Sequence, residues 1–91
     1  MKVFAEDIVT SMDPRSTVVD RVEMLSRYLG IGLTVQAQRF GSGSMYSAYQ
    51  NGSNTYGVSD ADGLIEVYSD PFDACSLLMT MWSNDKKNGV V

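Results

Sequence analysis

Apolar residues recur at the spacing of an amphipathic helix in the segment 14–29. They are Val18, Val22, Leu25 and Leu29, with polar residues between them. Asp13 can cap the first free N–H groups of this helix, and Pro14 suits a first helical position. Gly30 follows the last apolar position and tolerates the positive φ of a helix end. The pattern predicts a helix over residues 14–29.

A second helix is predicted after Asp70-Pro71, which repeats the same start signal. The core-facing positions of this helix are Cys75, Leu78, Met79 and Trp82. Residues 84–91 are polar, and we expect them to form a frayed tail. A weaker helical repeat in residues 1–13 predicts a short N-terminal helix or arm.

Apolar and polar residues alternate in four further segments, which are 33–40, 45–50, 55–59 and 64–68. This period of two predicts strands. The linker from Gly41 to Ser44 is a flexible connector by composition, while Asn51-Gly52 and Asp62-Gly63 are turn signals. Connections this short allow only antiparallel pairing.

These elements predict an α+β fold in a single domain over residues 1–91. We expect an antiparallel meander of three or four strands, with the N-terminal helices and the C-terminal helix packed on one face. The other face of the sheet is then open to solvent, and some of the tyrosines should lie on it.

Charge is distributed unevenly along the chain. The formal net charge is -4, and residues 40–85 contain no Lys or Arg. The acidic residues of this stretch are Asp60, Asp62, Glu66, Asp70, Asp73 and Asp85. Nucleic acids and anionic membranes both require cationic side chains, so neither is an expected partner. The charge favours a basic protein partner, or it serves only solubility.

Catalytic chemistry has little support in the sequence. The chain has no histidine, so Ser47, Ser53 and Ser59 lack the usual general base, and Cys75 falls on a core-facing helical stripe. Residues 60–65 resemble the middle of an EF-hand loop, but both outer carboxylates of such a loop are missing. We therefore expect no enzyme activity, no metal and no cofactor, and a carboxylate- or metal-dependent enzyme is a minor alternative.

Nothing in the sequence indicates a secretory signal or a membrane span. Residues 1–10 contain only scattered apolar positions, and no segment approaches the ~20 apolar residues of a spanning helix. The expected location is the cytoplasm.

The order helix, three strands, helix between Val18 and Trp82 resembles the double-stranded-RNA-binding fold. That family holds phosphate with lysines at the start of its last helix. Here the corresponding segment begins with Asp70 and includes Asp73, which would repel RNA. The resemblance is one of topology, and its function is not carried over.

The residues from Met45 to Gly57 are rich in Tyr, Ser, Gly and Asn, which is the composition of antibody contact loops. In the partner-binding surface predicted here, tyrosines are the anchors and carboxylates steer a basic partner. Its residues are Tyr46, Tyr49, Tyr56, Asp60, Asp62 and Glu66. Alternatively, these tyrosines only cover the sheet, because aromatic residues favour strands in any case.

The function expected from the sequence is a non-enzymatic, acidic protein-binding module. It would act as an inhibitor if its partner were a nucleic-acid-binding complex, since carboxylates can occupy sites meant for phosphates. Small acidic inhibitors encoded by bacteriophages, including anti-CRISPR proteins, are similar in size and charge, although no motif matches a named family. The alternative is a homo-oligomeric accessory protein, in which the sheet pairs with a second copy as a homodimer.

Overall fold

The protein has an α+β fold, and the computed structural model describes residues 1–38 and 45–88. Within these ranges the elements are β1 (Lys2–Phe4), α1 (Ala5–Ser11), α2 (Val18–Gly30), β2 (Thr34–Gln38), β3 (Met45–Gln50), β4 (Tyr56–Asp60), β5 (Gly63–Tyr68) and α3 (Pro71–Asn88). The predicted connector from Gly41 to Ser44 lies outside the described residues.

The sheet has five described strands in the order β1-β2-β3-β4-β5. Strands β2 to β5 form the expected antiparallel meander, but β1 runs parallel to β2, with Val3 opposite Val35. The prediction of a purely antiparallel sheet of three or four strands is therefore wrong in this part. Helices α1 and α2 supply the long connection that parallel pairing needs. A strand of three residues is also too short to show a period.

Helix α2 begins at Val18 rather than at residue 14. The N–H of Asp20 donates to the hydroxyl of Thr17 at 3.1 Å, and the N–H of Thr17 donates to the carboxylate of Asp20 at 3.0 Å. This reciprocal capping box fixes the start of the helix. Asp13 instead accepts a hydrogen bond of 2.8 Å from the N–H of Arg15 in the preceding turn.

Helix α3 begins at Pro71, as the sequence predicted. Its cap is Asp70, which accepts a hydrogen bond of 2.9 Å from the N–H of Phe72. The helix continues to Asn88, so residues 84–88 are helical where a frayed tail was expected. None of the helices in the described ranges is long and apolar enough to cross a membrane.

The core lies between one face of the sheet and the helices. Helix α3 packs across β2 to β5 and against α2, while α1 and α2 both contact β2. The sheet contributes alternate residues to this core, which are Val35, Ala37, Tyr46, Ala48 and Val58. The helices contribute Ala5, Val22, Leu25, Leu29, Ala74, Cys75, Leu78 and Met79. All three described helices thus contribute side chains to the same core cluster as the sheet.

Candidate docking surface

The face of the sheet opposite the helices carries the residues that alternate with the buried ones. Gln36 on β2 lies opposite Ser47 on β3, and its amide nitrogen donates to the Ser47 hydroxyl at 3.4 Å. Farther along the same face, Tyr49 lies opposite Gly57, and Gly57 lies opposite Val67 on β5. Polar residues therefore occupy the β2 side of this face, and larger apolar groups occupy the β5 side.

Gly57 allows two large side chains to meet on the open face. A β-carbon placed on Gly57 would lie 3.2 Å from Cζ of Tyr49 and 3.0 Å from Cδ1 of Leu64. Both distances are shorter than normal van der Waals contact. The tyrosine ring and the leucine side chain thus close over the glycine, where they form the apolar part of the candidate surface.

Strand β5 lies at the edge of the sheet and exposes more apolar area than its neighbours. The exposed fractions of Leu64, Ile65 and Val67 are 53%, 44% and 39%. The register shifts between Val58 and Ser59, so that β5 has one extra residue opposite β4. Such a bulge bends and twists a strand locally. Edge strands with exposed apolar side chains are typical places for pairing with another chain.

Carboxylates lie before, within and after β5. Asp60 and Asp62 form the turn that leads into the strand, where the N–H of Asp62 donates to Asp60 Oδ1 at 2.8 Å. Glu66 is exposed in the middle of the strand. Asp70 follows the strand as the cap of α3, and Asp73 lies in the first turn of that helix. Among the described residues, no Lys or Arg forms an ion pair with any of these five carboxylates. Within the described part of the chain, the edge therefore carries carboxylates at both ends and in the middle of β5 that have no ion-pair partner.

The structure does not place the six residues of the predicted surface on one face of the sheet. Tyr46 is only 8% exposed and belongs to the core, so it is not available as a surface anchor in this fold. Tyr56 pairs with Tyr68 on the helix-covered side and packs against the core. Tyr49 is the predicted anchor that reaches the open face. It lies near the β4–β5 hairpin that carries Asp60, Asp62 and Glu66.

Sequence reasoning missed the apolar residues of β5 as candidate contacts. In the segment 64–68, only Glu66 interrupts a run of apolar and aromatic residues. A strand that is last in a meander and then continues into a helix is free to lie at the sheet edge. That position was the available signal, and it makes Leu64, Ile65 and Val67 candidates for contact with a partner.

Apart from the β5 edge, the structure contains a cleft of about 440 Å³ between α1 and α2. Ile8, Met24 and Tyr28 line it, together with the carboxylates of Asp13 and Asp20. Both carboxylates already have local partners, since Asp20 completes the capping box of α2. Hydrogen bonds from Arg15 lower the pKa of Asp13. The lining of this cleft therefore mixes apolar side chains with carboxylates that are already engaged locally.

Of the groups considered for catalysis, Ser47 and Ser59 lie opposite each other on β3 and β4, whereas Cys75 lies in the core. Cys75 is fully buried, and burial raises the pKa of its thiol to about 12, so the reactive thiolate is disfavoured. Within residues 1–38 and 45–88, no three or more Asp, Glu or Cys side chains are arranged to hold a metal ion.

Comparison of the chain with protein-family models, with curated proteins and with solved structures gives no match.

Proposed function

We propose that this chain is a non-enzymatic binding module that docks onto a basic protein surface. The contact comprises β5 and the adjoining open face, with Tyr49, Leu64 and Val67 as apolar contacts. Asp60, Asp62 and Glu66 provide the complementary charge. The supporting observation is the coincidence of exposed apolar side chains with carboxylates that no described cation balances.

The two kinds of side chain have different roles in this proposal. Apolar groups at the centre of an interface supply most of the affinity, because water is excluded from them on binding. Peripheral carboxylates accelerate association with a positive surface, and salt weakens this effect. If the partner is a nucleic-acid-binding protein, occupation of its phosphate sites makes the module an inhibitor.

The test uses the immobilised full-length chain and the heparin-binding fraction of a cell lysate, which is enriched in basic, nucleic-acid-binding proteins. We expect the immobilised chain to retain proteins from this fraction, and we expect salt or duplex DNA to release them. The variant Asp62→Asn/Glu66→Gln should retain less protein than the unchanged chain. The matched control Asp7→Asn/Glu23→Gln removes the same charge from exposed positions on α1 and α2. Equal retention by the two variants would contradict the proposal.

Self-association is the second candidate function, and the exposed apolar edge of β5 is the observation that favours it. Two edge strands can pair across a two-fold axis and so join two sheets. Light scattering of the purified chain at two concentrations distinguishes the candidates. A stable dimer that buries Leu64 and Val67 would leave this edge closed to a foreign partner.

A further inference from the structure

Strand β5 is hydrogen-bonded on one side, to β4, among the described residues. An outer strand leaves the backbone N–H and C=O groups of its free edge without strand partners. Strand β5 contains no Lys or Pro to protect this edge, and its protective features are the charge of Glu66 and the bulge opposite β4. We propose that an extended segment of a basic protein adds to β5 as a sixth strand, with alternating basic and apolar side chains. This inference rests on the proposed function and specifies how its partner is recognised.

The sidedness of β5 predicts the alternation in the partner. Directly opposite residues on neighbouring strands share a face of the sheet. Glu66 lies opposite Val58, which faces the helices, whereas Val67 lies opposite Gly57 on the open face. An added strand therefore places one row of side chains beside Glu66 and the next row beside Val67. A basic residue suits the first row, and an apolar residue suits the second.

The charges at the ends of β5 extend this complementarity. Asp60 and Asp62 precede the strand, while Asp70 and Asp73 follow it. A basic segment therefore meets carboxylates at both ends, whichever direction it runs. Because a strand rises about 3.3 Å per residue, β5 spans roughly 20 Å and pairs with a segment of about six to eight residues.

The same charges disfavour a second copy of this chain as the occupant. In an antiparallel pair of β5 strands, the two copies of Glu66 would meet near the centre of the interface. The end that carries Asp60 and Asp62 would meet the end that carries Asp70 and Asp73. A parallel pair would place each acidic end against its own counterpart. Like charges directly opposite each other destabilise strand pairing, so the edge favours a positively charged segment over itself.

Three probes separate strand addition from simple charge attraction. They are an octapeptide of alternating Lys and Val, the same peptide methylated at every backbone nitrogen, and octalysine. The methylated peptide keeps the charge but has no backbone N–H to donate, and octalysine lacks the apolar row. Each is titrated into the isotope-labelled full-length chain while the amide resonances and the amide hydrogen exchange of residues 63–68 are followed.

We expect the Lys–Val peptide to shift these resonances and to slow their exchange. The methylated peptide and octalysine should bind more weakly and should protect no β5 amide. Glu66→Gln should raise the Kd of the Lys–Val peptide by about 1.5- to 5-fold, the range for a cross-strand charge pair. The matched control Glu23→Gln removes an exposed carboxylate from α2 and should leave the Kd unchanged.

The outcomes distinguish the two proposals. Equal binding of all three cationic probes would overturn strand addition while leaving the acidic surface as a docking site. No binding of any probe, together with no basic protein retained from the lysate, would overturn the proposed function as well. Protection of residues 63–68 without a peptide, accompanied by a dimer in light scattering, would make a second copy the occupant and overturn strand addition by a foreign segment.

Discussion

Replacing Tyr46 and Tyr49 one at a time by alanine tests the division between core and surface in the sheet. The two residues lie on the same strand, three positions apart, and therefore face opposite sides. Tyr46 is 8% exposed and lies opposite Ala37, which is fully buried. Tyr49 is partly exposed and covers Gly57. The same substitution should therefore have different effects at the two sites.

The expected cost at Tyr46 follows from its burial. A buried tyrosine removes about 150–250 Å² from water, and truncation of a buried aromatic residue to alanine costs about 3–5 kcal/mol. Its strand neighbour Ala37 is too small to fill the cavity. A chain of 91 residues has a free energy of unfolding of about 5–14 kcal/mol, so this loss is a large share of the total. At Tyr49 the ring is only partly buried, and we expect a cost of about 1 kcal/mol.

The assay is urea denaturation followed by circular dichroism and by the emission of Trp82, the single tryptophan. If Tyr46→Ala does not fold, Tyr46→Leu retains part of the volume and should still be more destabilised than Tyr49→Ala. Binding of the Lys–Val peptide supplies the opposite test, because Tyr49→Ala should weaken it. Equal loss of stability at the two positions would refute the assignment of Tyr46 to the core and of Tyr49 to the open face.

Three further predictions concern the local structure. Thr17→Ala should lower the free energy of unfolding by about 1 kcal/mol in urea denaturation, because α2 loses its capping box. Gly63→Ala should destabilise the protein by about 1 kcal/mol or more, because Gly63 has a φ of 123°. The control Gly30→Ala introduces no contact within 4 Å and should be neutral or stabilising. Native Cys75 should resist a thiol reagent at pH 8. Its pKa rises from 9.0 to about 12 on folding, so stability should fall as the pH rises from about 9 to 12.

Local signals account for most of what the sequence predicted correctly. The apolar repeat that ends at Leu29, the Asp70 cap and the turn at Gly63 depend on neighbouring residues, and the structure contains all three. The start of α2 was misplaced because two caps compete within a few residues. Asp13-Pro14 is a valid turn signal, but Thr17 and Asp20 together satisfy more N–H groups.

Nonlocal packing accounts for what the sequence did not predict. Strand β1 exists because residues 2–4 pair with β2, and no sequence feature of such a short segment predicts that pairing. Alternation shows that Tyr46 and Tyr49 must face opposite sides, but it does not show which side the helices cover. The edge position of β5, by contrast, was open to prediction, because the last strand of a meander has a neighbouring strand on one side.

The acidic edge of β5 has two physical consequences that can be measured separately. A charged residue on an edge strand opposes self-pairing, and this protection alone would explain Glu66. Recognition of a basic segment requires in addition that the charge attract a partner. Neutralising Asp62 and Glu66 together distinguishes the two effects. If the carboxylates only protect the edge, the variant should dimerise in light scattering, and its monomer should bind the Lys–Val peptide with the same affinity as the unchanged chain. If they also recognise a partner, peptide affinity should fall and lose part of its dependence on salt.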